Sequence, residues 1–247
     1  MPPISATEVL IHILGGVALL LWALRMVRTG VMRAYGADLR RLIGLGMQSG
    51  GRGRNLTAFG VGLGVTGLLQ SSTATALMTA SFAERGLLAT APALAVMLGA
   101  DVGTSLVAQA LSIDLRWLSP LLMVAGVASF MAASVTRWRD LGRAAIGLGL
   151  MLLALQLIVA ASGPIRESEI LRELLGALAN ERLLALLVGA ALTWLAHSSL
   201  AVVLLVMSLA GAGLLPPTLA LALVLGANLG GGLPAVVATW RGDTGAR

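Results

Sequence analysis

The chain has 247 residues, 57% hydrophobic and only 11% charged, with a net charge of +6 and a mean hydropathy of +0.92. A soluble domain carries roughly 25% charged residues, so this composition excludes one and places most of the chain in or near lipid. Long apolar runs without alternation exclude a β-barrel, and the absence of cysteine excludes disulfides and thiolate metal sites.

All 17 basic residues are arginine. They fall between apolar segments, as the positive-inside rule expects, and give no reason to invoke nucleic acid. In chain order the apolar segments run about 9–27, 56–83, 87–112, 117–136, 141–161, 183–212 and 217–240. Leu10–Val27 has no basic region before it and reads as a membrane segment, not a cleaved leader. A polar loop is expected over 28–54, with a short amphipathic piece near Asp38–Leu45. A second is expected over 163–182, with a matching piece at Ile170–Leu178.

Segments 56–83 and 183–212 have 28 and 30 residues, whereas one span needs ~20 and two need ~40. Each is interrupted by a Ser-Ser pair, in "TGLLQSSTATALM" and "TWLAHSSLAVVLLVM". The expected structure is a re-entrant hairpin of two half-helices with a polar tip. Charge agrees with this. Region 25–54 has seven Arg and one Asp, and "RWRDLGR" at 137–143 has three Arg. Both fall on the cytoplasmic side only if 56–83 turns back.

The odd segments belong to a repeat offset by 127 residues. Gly62 matches Gly189, Thr66 matches Thr193, and Gln70-Ser71-Ser72 matches His197-Ser198-Ser199. "LGADVG" at 98–103 matches "LGANLG" at 225–230, and "GGVALLLWALRMV" matches "GLMLLALQLIVA" after a small gap. The chain divides into repeat 1 (1–136) and repeat 2 (137–247). The charge-based topology makes the repeats inverted, an architecture of secondary transporters. The fold expected is an all-α integral membrane protein.

A broken helix leaves free N–H groups and roughly half a positive charge at the start of its second half. Ser71, Ser72, Thr73, Ser198 and Ser199 add hydroxyls, and Gln70 and His197 add an amide and an imidazole. Two facing tips form an anion cradle built without Lys or Arg. Carbonyls at the ends of the first half-helices suit a cation such as Na⁺. Asp101 is ionisable within an apolar segment, which marks it as a functional candidate; its mate is Asn228. A lone Ser-Ser pair more often knits helices together, but two pairs at repeat-equivalent breaks favour a site. "GVGLGVTG" at 60–67 lacks the ending and the preceding strand of a phosphate loop, and close helix packing accounts for it better.

At these residues the chain resembles the sodium/phosphate cotransporter family, whose hallmark is a duplicated T-x-x-x-Q-S-S-S motif with a G-A-N-x-G-T-like motif after each copy. Here the first copy is Thr66…Gln70-Ser71-Ser72-Thr73, followed by Gly99-Ala100-Asp101-Val102-Gly103-Thr104. The second is Thr193…His197-Ser198-Ser199-Leu200, followed by Gly226-Ala227-Asn228-Leu229-Gly230-Gly231. The resemblance implies sodium-coupled phosphate import across a bacterial cytoplasmic membrane. It implies substrate binding at Gln70–Thr73 and His197–Ser199, and no cofactor. With it, Thr66, Asp101, Thr104, Thr193 and Asn228 are the candidate cation ligands.

Leu200, His197, Asp101 and Gly231 depart from the pattern, which leaves open another oxyanion (arsenate, sulfate) or different ion coupling. Repeat 2 lacks a counterpart of the 117–136 helix, so the chain reads as C-terminally incomplete. Many bacterial members continue into a PhoU-like regulatory domain, and "WRGDTGAR" lies on the expected cytoplasmic side for one. The alternative of a different class is a non-transporting scaffold or regulatory module. A hydrolase using Ser198 with adjacent His197 lacks both an orienting third residue and a nucleophile elbow.

Overall fold

The computed structural model describes residues 6–48, 53–112, 117–163 and 169–240. Every regular element among them is helical. The order is α1 (Ala6–Gln48), α2 (Arg54–Leu69), α3 (Ser72–Glu84), α4 (Thr90–Ser112), α5 (Leu118–Ala132), α6 (Thr136–Ala161), α7 (Glu169–Asn180), α8 (Arg182–Ala196), α9 (Ser199–Gly211) and α10 (Pro217–Thr239). Parts of α1, α4, α6 and α10 are long and apolar enough to cross a membrane; α7 and α8 could together make a fifth, broken span, bent by 105°. The chain is therefore a multi-pass membrane protein. The C-terminal "RGDTGAR" at 241–247 lies outside the described residues.

Two arginine-rich stretches are continuous with apolar helices. α1 continues from the apolar segment through Gln48, so at 43 residues it is about 65 Å long. "RWRDLGR" forms the first turns of α6. The reason is tertiary. Gly30 lets α1 approach so closely that an added Cβ would meet the Asp140 and Ala144 backbone. Beyond it, the Arg137 guanidinium sits 4.3 Å from the Tyr35 ring centroid and 3.6 Å from the Asp38 carboxylate. A polar stretch with no proline extends as helix when a neighbour anchors it.

α1 and α6 run antiparallel: Gly16 faces Ala154 and Ile158, while Gly30 faces Asp140 and Ala144. α5 packs antiparallel on α6 through Gly126 and Gly142, with the Ser119 hydroxyl donating to Gly149 O at 2.8 Å. α2 lies on α4, and α8 lies on α10 in the same way. Gly62 abuts Val96 where Gly189 abuts Leu223; Gly99 abuts Phe59 where Gly226 abuts Leu186; Gly103 abuts Leu63 where Gly230 abuts Ala190. Every pair is displaced by 127 residues, as in the sequence repeat. Lipid supplies no hydrophobic drive between helices, so small residues that admit backbone contact hold such pairs together. In "GVGLGVTG" only Gly62 does this; Gly60, Gly64 and Gly67 face open space.

The core surrounds α9. Ser199–Leu204 and Val206 are all buried, against Leu20, Leu24, Met151, Ile158, Leu219 and Leu223. A helix apolar on every side belongs at the centre of a bundle. Both α3 and α9 end in the same Schellman turn. Gly86 (φ +68°) and Gly213 (φ +75°) take the left-handed position, and Leu87 and Leu214 donate to Phe82 O and Leu209 O at 3.0 Å.

Candidate functional site

Each apolar run breaks at the residue before its Ser-Ser pair. Gln70 (φ 51°, ψ 37°) and His197 (φ 52°, ψ 29°) are left-handed, and Ser71 and Ser198 are extended. Left-handed backbone costs a non-glycine residue roughly 1–2 kcal/mol. The pattern offsets this by capping: the Ser71 hydroxyl accepts from Ala74 N–H, and the Ser198 hydroxyl from Ala201 N–H, both at 3.2 Å. Each serine keeps its own O–H to donate. The N–H groups of Ser72, Thr73, Ser199 and Leu200 have no acceptor within their helices, because they open the first turn.

The two breaks come together. Ser72 Oγ lies 3.4 Å from Ser199 Oγ, and the Thr73 hydroxyl donates to Gly231 O at 3.1 Å. The starts of α3 and α9, each carrying the positive end of a helix dipole, therefore face one another. Beside them is a cavity of 690 Å³ lined by Gln70, Ser71, His197 and Ser198, and by Arg25 and Arg28 of α1. The arginines were missed in the sequence, which suggested a cradle without basic side chains. Arg25 lies within the first apolar segment, and an ionisable residue there is a signal that could have found it.

Leu200, in place of a motif serine, is 2% exposed and packs in the core around α9. Gly231, in place of a motif threonine, gives Ser199 room: an added Cβ would stand 3.1 Å from Ser199 Cβ. His197 Nδ1 lies 3.1 Å from Leu195 O, so Nδ1 carries a proton to donate there. Asp101 and Asn228 lie on exposed faces of α4 and α10. Thr104 is buried and donates to Ala100 O at 3.0 Å.

The two repeats differ at their buried threonines. Thr66 Oγ1 and Thr75 Oγ1 are 2.7 Å apart, and the Thr75 hydroxyl reaches Ser71 O at 3.3 Å, so Thr66 donates to Thr75. At the position equivalent to Thr75 stands Val202. Thr193 Oγ1 is consequently buried without a partner, at 2% residue exposure; Gln70 Oε1 is likewise buried and unpaired. An unmet buried polar atom costs about 1–3 kcal/mol. In sodium-free detergent solution, Thr66→Val is expected to lower stability by about 1 kcal/mol, the worth of one hydrogen bond. Thr193→Val is expected to leave stability unchanged or raise it. Thermal melting of both variants checks the pair, and equal losses would contradict it.

The Na+/Pi-cotransporter family model matches residues 19–160 and 166–244. The "Putative inorganic phosphate export protein YjbB" of Escherichia coli (strain K12) is 46% identical over 238 residues, covering 96% of this chain and 43% of that protein. The protein of the same name from Salmonella typhimurium is 45% identical over the same shares. The "Uncharacterized protein YqeW" of Bacillus subtilis (strain 168) is 28% identical over 192 residues, 78% of this chain and 62% of its own length. The chain thus spans less than half the length of the relatives named for phosphate export. No solved structure gives a significant match. With the family model covering nearly the whole chain and the paired Ser-Ser motifs at facing helix starts, the chain belongs to the Na+/Pi-cotransporter family.

Proposed function

We propose that the chain carries inorganic phosphate across the membrane by alternating access, with the anion held between the helix starts at Ser71–Thr73 and Ser198–Ser199. The observation that carries this is the approach of Ser72 to Ser199 at 3.4 Å, beside a cavity walled by Arg25 and Arg28. Free N–H groups, hydroxyl donors and two guanidiniums suit a doubly charged oxyanion. Gln70 Oε1 and Thr193 Oγ1, both buried and unpaired, are acceptors suited to Na⁺, which makes sodium the coupling ion of this reading.

The moving parts are two inverted repeats, each with a re-entrant hairpin. If α2 and α3 formed one rod, antiparallel to α4 beyond the turn at Gly86, residue 62 would lie level with the end of α4. Gly62 instead abuts Val96, near the start of α4, about 16 residues or 24 Å away by helix rise. That displacement supports a reversal at Gln70, and the matching Gly189–Leu223 contact supports one at His197. The antiparallel packing of the repeat-equivalent helices α1 and α6 supports inversion. Rocking one repeat against the other across the Ser72–Ser199 seam would expose the site to each side in turn.

For direction, export is the reading favoured by the names of the relatives at 45–46% identity; the family resemblance alone favours import. The test is radiolabelled phosphate flux in proteoliposomes, measured into and out of the vesicles under imposed sodium gradients of either sign. Flux that follows the sodium gradient supports coupled transport. Flux indifferent to sodium would remove the coupling, and none in either direction by correctly inserted protein would favour the scaffold reading.

A further inference from the structure

A second basic recess adjoins the cavity at the helix breaks and shares Trp22 and Arg25 of α1 with it. It is a groove of 420 Å³ between α1, α5 and α6, walled by Trp22, Arg25, Met26, Phe130, Arg143 and Ile146. Arg143 lies 5.7 Å from the Phe130 ring centroid, which holds the guanidinium at the groove. Neither Arg25 nor Arg143 has an acidic partner among the described residues. Asp140, one turn before Arg143, is buried and lies outside the wall. Two unneutralised cations facing one recess call for an anion.

The rest of the wall says which kind. Trp22, Met26, Phe130 and Ile146 are apolar or aromatic, and Trp22 is 56% exposed on a helix face that would meet acyl chains. Inorganic phosphate gains nothing from such a surface, whereas a phosphodiester with hydrocarbon attached matches both parts. The groove also lies on the arginine-rich side of the bundle, with Arg137 and Arg139 at the same end of α6. By the positive-inside rule that side faces the leaflet where anionic lipids attract basic pockets.

We propose that this groove binds the headgroup phosphate of an anionic phospholipid, with Arg25 and Arg143 as its ligands and an acyl chain lying along Trp22 and Ile146. This site does not depend on the transport reading. Arg25 also lines the cavity at the helix breaks, so Arg143 is the residue to test.

Native mass spectrometry of the purified chain, titrated with phosphatidylglycerol and with phosphatidylethanolamine of the same acyl chains, measures the binding. Phosphatidylglycerol is expected to bind the more tightly and to resist millimolar inorganic phosphate. Arg143→Gln is expected to weaken it about tenfold, as loss of a charge-assisted contact does, and Arg143→Lys by less. Arg139→Gln, which removes a cation 5.5 Å from the same ring but outside the wall, is expected to change little. Equal binding of the two lipids, displacement by inorganic phosphate, an unchanged Arg143→Gln, or an equal loss in Arg139→Gln would each overturn the proposal.

Discussion

Alanine at both Ser72 and Ser199 is expected to reduce phosphate flux about 100-fold or more, with each single change costing about tenfold. A hydrogen bond to a charged group is worth about 1.5–3 kcal/mol, and 1.4 kcal/mol is tenfold in affinity. These hydroxyls face one another at 3.4 Å where two helix starts meet, so both can serve one bound anion. Neither serine is the cap of its helix; that role belongs to Ser71 and Ser198. The double variant should therefore melt close to the unsubstituted protein. Ser71→Ala should lose both flux and about 1 kcal/mol of stability, because it removes a cap. Flux assays at matched inserted protein, paired with melting curves, separate the effects. A Ser72→Ala/Ser199→Ala protein that carries phosphate normally would rule out a site at this seam.

The second large effect is on assembly. Gly99→Ala and Gly226→Ala are each expected to lower stability by about 3 kcal/mol, at the upper end of ordinary overpacking. Valine at either position is expected to abolish recovery of folded protein. An added Cβ at Gly99 would collide with Phe59 carbonyl oxygen, and at Gly226 with Leu186 carbonyl oxygen. Backbone cannot swing aside as a flexible side chain can, so α2 and α4, or α8 and α10, must separate along their length. Gly64 is the control: it lies on α2, the helix that Gly99 packs against, but a Cβ there meets nothing within 4 Å. Gly64→Ala should melt within about 0.5 kcal/mol of the parent, as surface changes usually do. Detergent melting temperatures and monodisperse yield check the set; equal tolerance at Gly99 and Gly64 would show that the close packing is not needed.

The Gly62–Val96 and Gly189–Leu223 contacts explain why the 127-residue repeat was readable. A glycine that admits a backbone cannot be exchanged for another residue without separating helices, so the repeated contact leaves repeated letters. The departures from the repeat had structural reasons that only a neighbour could supply. Leu200 looked like a lost site hydroxyl and is a core side chain on the helix at the centre of the bundle. Gly231 looked like a lost threonine, yet its carbonyl receives Thr73 and its bare Cα leaves room for Ser199.

The sequence by itself determined the membrane class, the helical content and the break of two over-long apolar runs. Those follow from local chemistry: lipid tolerates only chains that satisfy their own backbone, and a Gln-Ser-Ser or His-Ser-Ser insert can do so through a left-handed residue and a serine cap. Tertiary structure alone decided that residues 28–48 continue α1, since Gly30, Tyr35 and Asp38 are held by α6. It alone placed Arg25 and Arg28 beside the breaks, because spacing along one helix does not say which other helix its face will meet. It also left Thr193 without a partner, where burial turned a substitution nine residues away, Val202, into an unmet hydroxyl.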